Sequence, residues 1–223
     1  SYFNKRYVVQ IQEKIQNQEQ KQKIDGFLRE NILHLQLNFN RYASVVDPND
    51  LSAIQKNIND LISRSHTYLD ILEKGGIVSV VRNVNLPNQD EITEIIEYQP
   101  DPSEELIPQV SELKPKLNEL KALSNKNAAH LTNLLYLTQT DKTALAKLAN
   151  DYAAQSTEMF KHIMQLEHII SFSINKQVVY LNNSNINMVR QYNRYKYGSL
   201  AFFFLVIMAI TAWLIRQVHH LIE

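Results

Sequence analysis

The chain has 223 residues, with 23 basic and 23 acidic side chains, 44% apolar residues and no cysteine. The even charge balance excludes the basic footprint of a nucleic-acid-binding protein, and the missing thiols exclude disulfides, thiolate metal sites and cysteine nucleophiles. Four glycines and six prolines leave few places where a regular element must stop, so long helices are the expected architecture.

The opening SYFNKRYVVQ carries charges where the apolar core of a cleavable signal peptide would lie. Tyr2, Phe3, Lys5, Arg6 and Tyr7 instead match the aromatic and basic flank found just outside a bilayer, which predicts a further membrane helix before Ser1. From Tyr2 to Val46 there is no proline. Ile24, Leu28, Ile32, Leu35, Phe39, Tyr42 and Val46 recur at spacings of three and four, a helical seam. The stretch QNQEQKQK, 16–23, offers no apolar face, so a helix continues there only as a solvated stalk or beside another polar helix.

Asp47-Pro48-Asn49-Asp50 reads as a turn, with Asn49 or Asp50 expected to cap a second helix. That helix carries Leu51, Ile54, Ile58, Leu61, Tyr68 and Leu72 on one face and stops at Gly75-Gly76. Residues 77–99 change character: β-branched IVSVVRNVNL, then Pro87-Asn88, then EITEIIEY predict a hairpin in which Val78, Val80 and Val84 share a face with Ile92, Ile96 and Tyr98. An isolated hairpin is marginal in water, so it is expected to lie against the helices or pair with another subunit.

Ser103 is the expected cap of a third helix, whose face runs through Leu106, Val110, Leu113, Leu117, Leu120, Leu131 and Leu134. Pro108 and Pro115 predict either a bent first part or a regular helix that begins near Pro115. Beyond Asp141, the expected cap of helix four, neither proline nor glycine occurs until Gly198. One helix of about 80 residues is expected, its seam including Leu145, Leu148, Tyr152, Met159, Ile163, Leu166, Ile170 and Ile174. It ends in GSLAFFFLVIMAITAWLI, Gly198 to Ile215, an uncharged run that as a helix spans about 27 Å, near the hydrocarbon thickness of a bilayer. Tyr192, Tyr195, Tyr197 and Trp213 mark its two interfaces.

The fold class expected is all-α: an elongated up-down four-helix bundle with a small β-hairpin insertion between helices 2 and 3 and a C-terminal transmembrane helix. The expected division is an extracytoplasmic domain over 1–196, a membrane helix over 197–216 and the start of a cytoplasmic segment over 217–223. Two stalk helices with polar seams make a poor core, which predicts a homodimer.

No HExxH or CxxCH motif, phosphate-binding loop or nucleophile elbow is present, and His162 and His168, six residues apart, lie on different helical faces. Neither a cofactor, a metal site nor catalysis is expected within these residues. Arg29, Arg41, Arg64 and His66 lie on helices one and two, expected to be antiparallel neighbours. Arg41, Arg64 and His66 are the candidate contacts for a small anionic ligand held by charge-assisted hydrogen bonds; the alternative is charges solvated over the seam. Asn182, Ser184 and Asn185 fall in an asparagine-rich stretch that is either a wet part of the stalk or a weak seam suited to signal transmission.

In its order of a long first helix, shorter middle helices and a long fourth helix entering a membrane span that ends in Arg216, the chain resembles the extracytoplasmic helical sensor regions of bacterial transmembrane receptors, of histidine-kinase or chemoreceptor type. The resemblance implies placement in the bacterial inner membrane with the soluble part in the periplasm. It also implies detection of a small molecule or a periplasmic binding protein, and relay of a helix displacement. Arg190, Arg194 and Lys196 precede the span and Arg216 follows it, the reverse of the positive-inside pattern. The competing reading is a tail-anchored cytosolic helical interaction protein.

Overall fold

A computed structural model describes residues 2–42, 45, 47–86, 89–100, 107–136 and 142–222. The chain is mostly helical: α1 (Tyr2–Arg41), α2 (Pro48–Lys74), β1 (Gly76–Leu86), β2 (Gln89–Tyr98), α3 (Pro108–Tyr136) and α4 (Lys142–Ile222). It divides into two units, Ser1–Gln177 and Val178–Glu223.

In the first unit α1 ends at Arg41, short of the apolar seam that continues through Tyr42. Farther along, Pro48 drives the residue before it, Asp47, out of helical conformation. Asp47 is extended, with φ −122° and ψ 133°, and its carboxylate accepts the Asn49 N–H at 2.8 Å. Asp47 is therefore the cap of α2, in place of the expected Asn49 or Asp50, and Pro48 takes the first turn where its missing N–H costs nothing. Gly75 ends α2 with φ +79°. A Cβ there would sit 2.5 Å from Pro100 Cδ and 2.9 Å from the Tyr98 carbonyl oxygen, so this glycine meets both a backbone and a space requirement.

β1 and β2 pair antiparallel, with Val78 opposite Ile96 and Val80 opposite Glu94. Val78, Val80, Ile92, Ile96 and Tyr98 share the inward face, as expected, and Ile96 and Tyr98 are fully buried. The Val84 side chain, the hairpin turn at Pro87-Asn88 and the expected caps Ser103 and Asp141 lie outside what is described. Pro108 opens α3, and the helix continues through Pro115, so it begins earlier than a start at Pro115 would require.

Side-chain contacts fix the directions of the helices. Tyr42 bonds to Gln55 while Phe27 stacks on Tyr68, so α1 and α2 run antiparallel. Gln55 Nε2 donates to Asn125 Oδ1, and near the other end Ser111 Oγ donates to Glu73 at 2.9 Å, which makes α2 and α3 antiparallel. Tyr152 meets His130, while His162 Nε2 lies 3.9 Å from Glu112, and α3 and α4 are likewise antiparallel. Finally Phe39 packs edge-on against Phe160 at 5.2 Å and Lys21 reaches Gln177, so α4 also runs against α1.

The core between these helices is built of Ile24, Leu28, Ile32, Leu35 and Phe39 from α1, Ile54, Ile58 and Leu69 from α2, Leu113, Leu117 and Leu120 from α3, and Phe160, Ile163, Ile170 and Ile174 from α4. Two seam positions differ from expectation: Ile62 and Phe160 are buried, whereas their neighbours Leu61 and Met159 are only half-buried. The polar run 16–23 is also helical, and one side of it is packed while Gln16, Glu19 and Lys23 are exposed. Lys21 is buried, its Nζ 5.7 Å from the Tyr98 ring centroid and 2.7 Å from Gln177 Oε1. Gln22 Nε2 donates to Asn175 at 3.1 Å. A polar helical face is stable here because α4 and the hairpin present polar and aromatic partners to it.

The second unit is the C-terminal part of α4. It contains the one segment among the described residues that is long and apolar enough to cross a membrane, with mean hydropathy 2.3 and none of it buried. The two hydroxyls of the apolar run 198–215 are both satisfied within the helix: Ser199 Oγ donates to the Lys196 carbonyl at 2.9 Å and Thr211 Oγ1 to the Ile207 carbonyl at 2.8 Å.

Candidate functional site: a buried ionic layer joining α1 and α4

The α1–α4 interface contains a charged layer where the neighbouring seams are aliphatic. Asp25 follows Ile24 on α1, and Glu167 follows Leu166 on α4; both carboxylates are almost fully buried. Arg29, one turn beyond Asp25, places Nε 2.8 Å from Glu167 Oε1 and donates through Nη2 to the Ser171 hydroxyl. Its Nη2 is 3.8 Å from Asp25 Oδ2. Two carboxylates thus share one guanidinium. Arg29 is the member that reaches solvent, its side chain 48% exposed.

Burial pushes the Asp25 carboxyl above its ordinary range, and the nearby Glu167 charge adds to this, against the lowering effects of the Ser171 hydrogen bond and of Arg29. Asp25 Oδ1 has no hydrogen-bond partner among the described residues. The layer therefore joins two helices through groups whose charge balance is incomplete, two buried carboxylates facing one guanidinium.

Arg41 and Arg64 are both exposed, and the helix register separates them. Arg41 adjoins Tyr42, which bonds to Gln55, whereas Arg64 lies nine residues beyond Gln55 on α2, about 13 Å along the axis. Arg64 acts instead on Tyr68, whose hydroxyl burial raises and Arg64 lowers. His66 turns toward α3, with Nε2 3.0 Å from Asn118 Oδ1. The structure does not bring Arg41, Arg64 and His66 to one ligand-sized site. Just beyond the C-terminal end of α1, Tyr42 bonds to both Gln55 and Ser124, and burial pushes its hydroxyl up to about 12. In the second unit Asn182 is exposed, Ser184 is half-buried and Asn185 is 6% exposed, with its Nδ2 unpartnered among the described residues.

Asp25, Glu167 and Ser171 were legible only as irregularities: a charged residue next to a seam position on each of two helices, with a serine one turn beyond the second. Among the described residues no group of three or more histidine, aspartate or glutamate side chains is placed to hold a metal ion. Comparison with family models, with curated proteins and with solved structures finds no match to this chain. A functional reading therefore rests on the geometry alone.

Proposed function

We propose that the chain is the signal-sensing and signal-transmitting region of a bacterial transmembrane receptor, of the histidine-kinase or chemoreceptor class. Its 1–177 part is read as an up-down four-helix bundle in the periplasm, and 197–216 as a helix crossing the inner membrane. The observation that carries this reading is α4, a single helix from Lys142 to Ile222 that begins among packed helices and includes the apolar segment. A helix is stiff enough to pass on a small piston, tilt or rotation. The self-satisfied hydroxyls of Ser199 and Thr211 support the membrane assignment, since hydrocarbon supplies no other partner.

In this reading a small molecule or a partner protein alters the α1–α4 packing, the Arg29 layer readjusts, and a homodimer carries the displacement onward. These residues perform no catalysis themselves; an output domain does. A cytosolic tail-anchored protein is the second reading, favoured by Arg190, Arg194 and Lys196 on the near side of the span against Arg216 beyond it. Topology separates the two. Lys56 is exposed on α2, unlike its half-buried neighbour Gln55, which is bonded to Tyr42 and Ser124. Lys56→Cys is expected to react with a membrane-impermeant maleimide in intact cells, and labelling only after lysis would refute the periplasmic placement.

A further inference from the structure

Among the described residues the outer edge of β2 has no neighbouring strand, and one residue shows how that edge is used. The Asn17 carboxamide engages both backbone groups of Gln99: Nδ2 donates to the carbonyl at 2.6 Å, and Oδ1 accepts from the N–H at 2.9 Å. This two-bond exchange is what one residue of an adjacent strand would supply. Backbone polar groups alternate in direction along a strand, so Glu97, Ile95 and Thr93 present their N–H and C=O groups on the same side as Gln99. Among the described residues no strand pairs with them, the sheet consisting of β1 and β2. An open groove of about 1080 Å³ follows this edge, lined by Glu13, Lys14 and Gln16 of α1 and by Ile95, Glu97 and Pro100.

The outward face of the same hairpin is apolar where solvent would favour polar side chains. Ile77, Val81 and Ile95 are 65%, 57% and 70% exposed. Ile95 stands opposite Ser79, hence diagonally between Ile77 and Val81, and the three form one patch that reaches the β2 edge. Exposed β-branched side chains beside an unpaired strand edge are what folded proteins ordinarily avoid unless something covers them.

The charges on β2 indicate what that is. Asp90, Glu91, Glu94 and Glu97 are its charged residues, all acidic. Glu94 is paired with Lys23 at 2.7 Å, whereas Glu97 contacts the neutral Gln99 amide at 3.2 Å. A second copy joined β2 to β2 across a two-fold axis would set one acidic row against another. We propose that this edge docks an extended, basic segment of a partner polypeptide as a third strand, with apolar side chains covering Ile95 and lysine or arginine meeting Glu97 and Glu13. The proposal is independent of the receptor reading, because strand addition at this edge does not depend on which side of a membrane the hairpin occupies.

The probe is a fluorescein-labelled octapeptide, Val-Thr-Lys-Thr repeated twice, which as a strand carries valine and lysine on the same face, as β2 carries Ile95 and Glu97. It is titrated by anisotropy into the full chain in mild detergent at low salt. Two further peptides carry backbone N-methyl groups on alternate residues, one on the valines and lysines and one on the threonines, so that each loses the donors of a single edge. One methylated peptide is expected to bind at least tenfold more weakly than the parent while the other binds like it. Equal behaviour of the two methylated peptides overturns strand addition and leaves nonspecific charge attraction. In the protein, Ile95→Pro removes an outward N–H while sparing the bonds to β1, and is expected to weaken binding of the parent at least tenfold. Glu97→Lys is expected to weaken it several-fold; parent binding unchanged in both variants also overturns the proposal. So does a chain that self-associates through this edge and binds no peptide. Should Ile95→Pro misfold, the methylated peptides still decide the question on the unaltered chain.

Discussion

Arg29→Met tests whether the ionic layer is an energetic tie or an incidental surface pair. The substitution keeps most of the side-chain volume and leaves Asp25 and Glu167, both nearly fully buried, without their shared cation. Removing one partner of a fully buried pair costs about 3–5 kcal/mol, but Arg29 is half exposed and water screens part of the interaction. A loss of about 2 kcal/mol at neutral pH follows, roughly 4–8 °C in melting temperature for a domain of this size. Its pH dependence is the sharper test. Asp25 already has a raised folded pKa through burial, and loss of the cation raises it further. A carboxyl whose folded pKa lies above its unfolded value favours the folded state fully below the unfolded pKa, and that contribution is lost as pH rises through the folded pKa. The deficit of Arg29→Met must therefore be largest at pH 7 to 8 and shrink as the buffer is acidified toward the ordinary carboxylate range at about pH 4, where protonation replaces the missing cation. Asp25→Asn in the same background should recover part of it at neutral pH by removing one of the two stranded charges. The assay is thermal melting of the full chain in mild detergent, followed by circular dichroism. A parent-like melting point, or a deficit that does not change between about pH 8 and pH 4, refutes the reasoning.

Three further outcomes are expected. Gly75→Ala should destabilise the first unit by about 1–3 kcal/mol, because φ +79° is strained for alanine and its Cβ meets Pro100 and the Tyr98 carbonyl; an unchanged melting temperature would contradict the close approach. Single cysteines placed from Gln177 to Met188 should crosslink between protomers in membranes with helical periodicity, and a flat profile would argue against a paired stalk. Replacing Ser184 and Asn185 together by Leu should lock the output of a fused reporter kinase in one state, since apolar packing favours whichever arrangement buries these positions more; stimulus dependence equal to the parent's excludes a switching role for them.

Local signals in the chain were sufficient for the elements. The recurrence of Ile24, Leu28, Ile32, Leu35 and Phe39 marks α1, Gly75-Gly76 ends α2, and β-branched residues around Pro87-Asn88 mark the hairpin, because periodicity, glycine conformation and turn chemistry act within a few residues. The same holds for the apolar run from Gly198 to Ile215, where length and the absence of charge are the whole signal. Which polar residues matter could be decided only by tertiary packing. Arg29 and Arg41 look equivalent along α1, yet Arg29 meets the buried Glu167 of α4 and Arg41 lies exposed at the helix end, because only the register between helices says which side chains meet. Lys21, within a run that offers no apolar face, is buried because Tyr98 and Gln177 arrive from elements 77 and 156 residues away along the chain. Asp47 displaced Asn49 as a cap because Pro48 restricts the backbone of the residue before it, a local effect that outweighed side-chain preference. Periodicity reports how often a helix turns toward a core; the partner it finds there, and hence the charge it must neutralise, depends on residues far away in the chain.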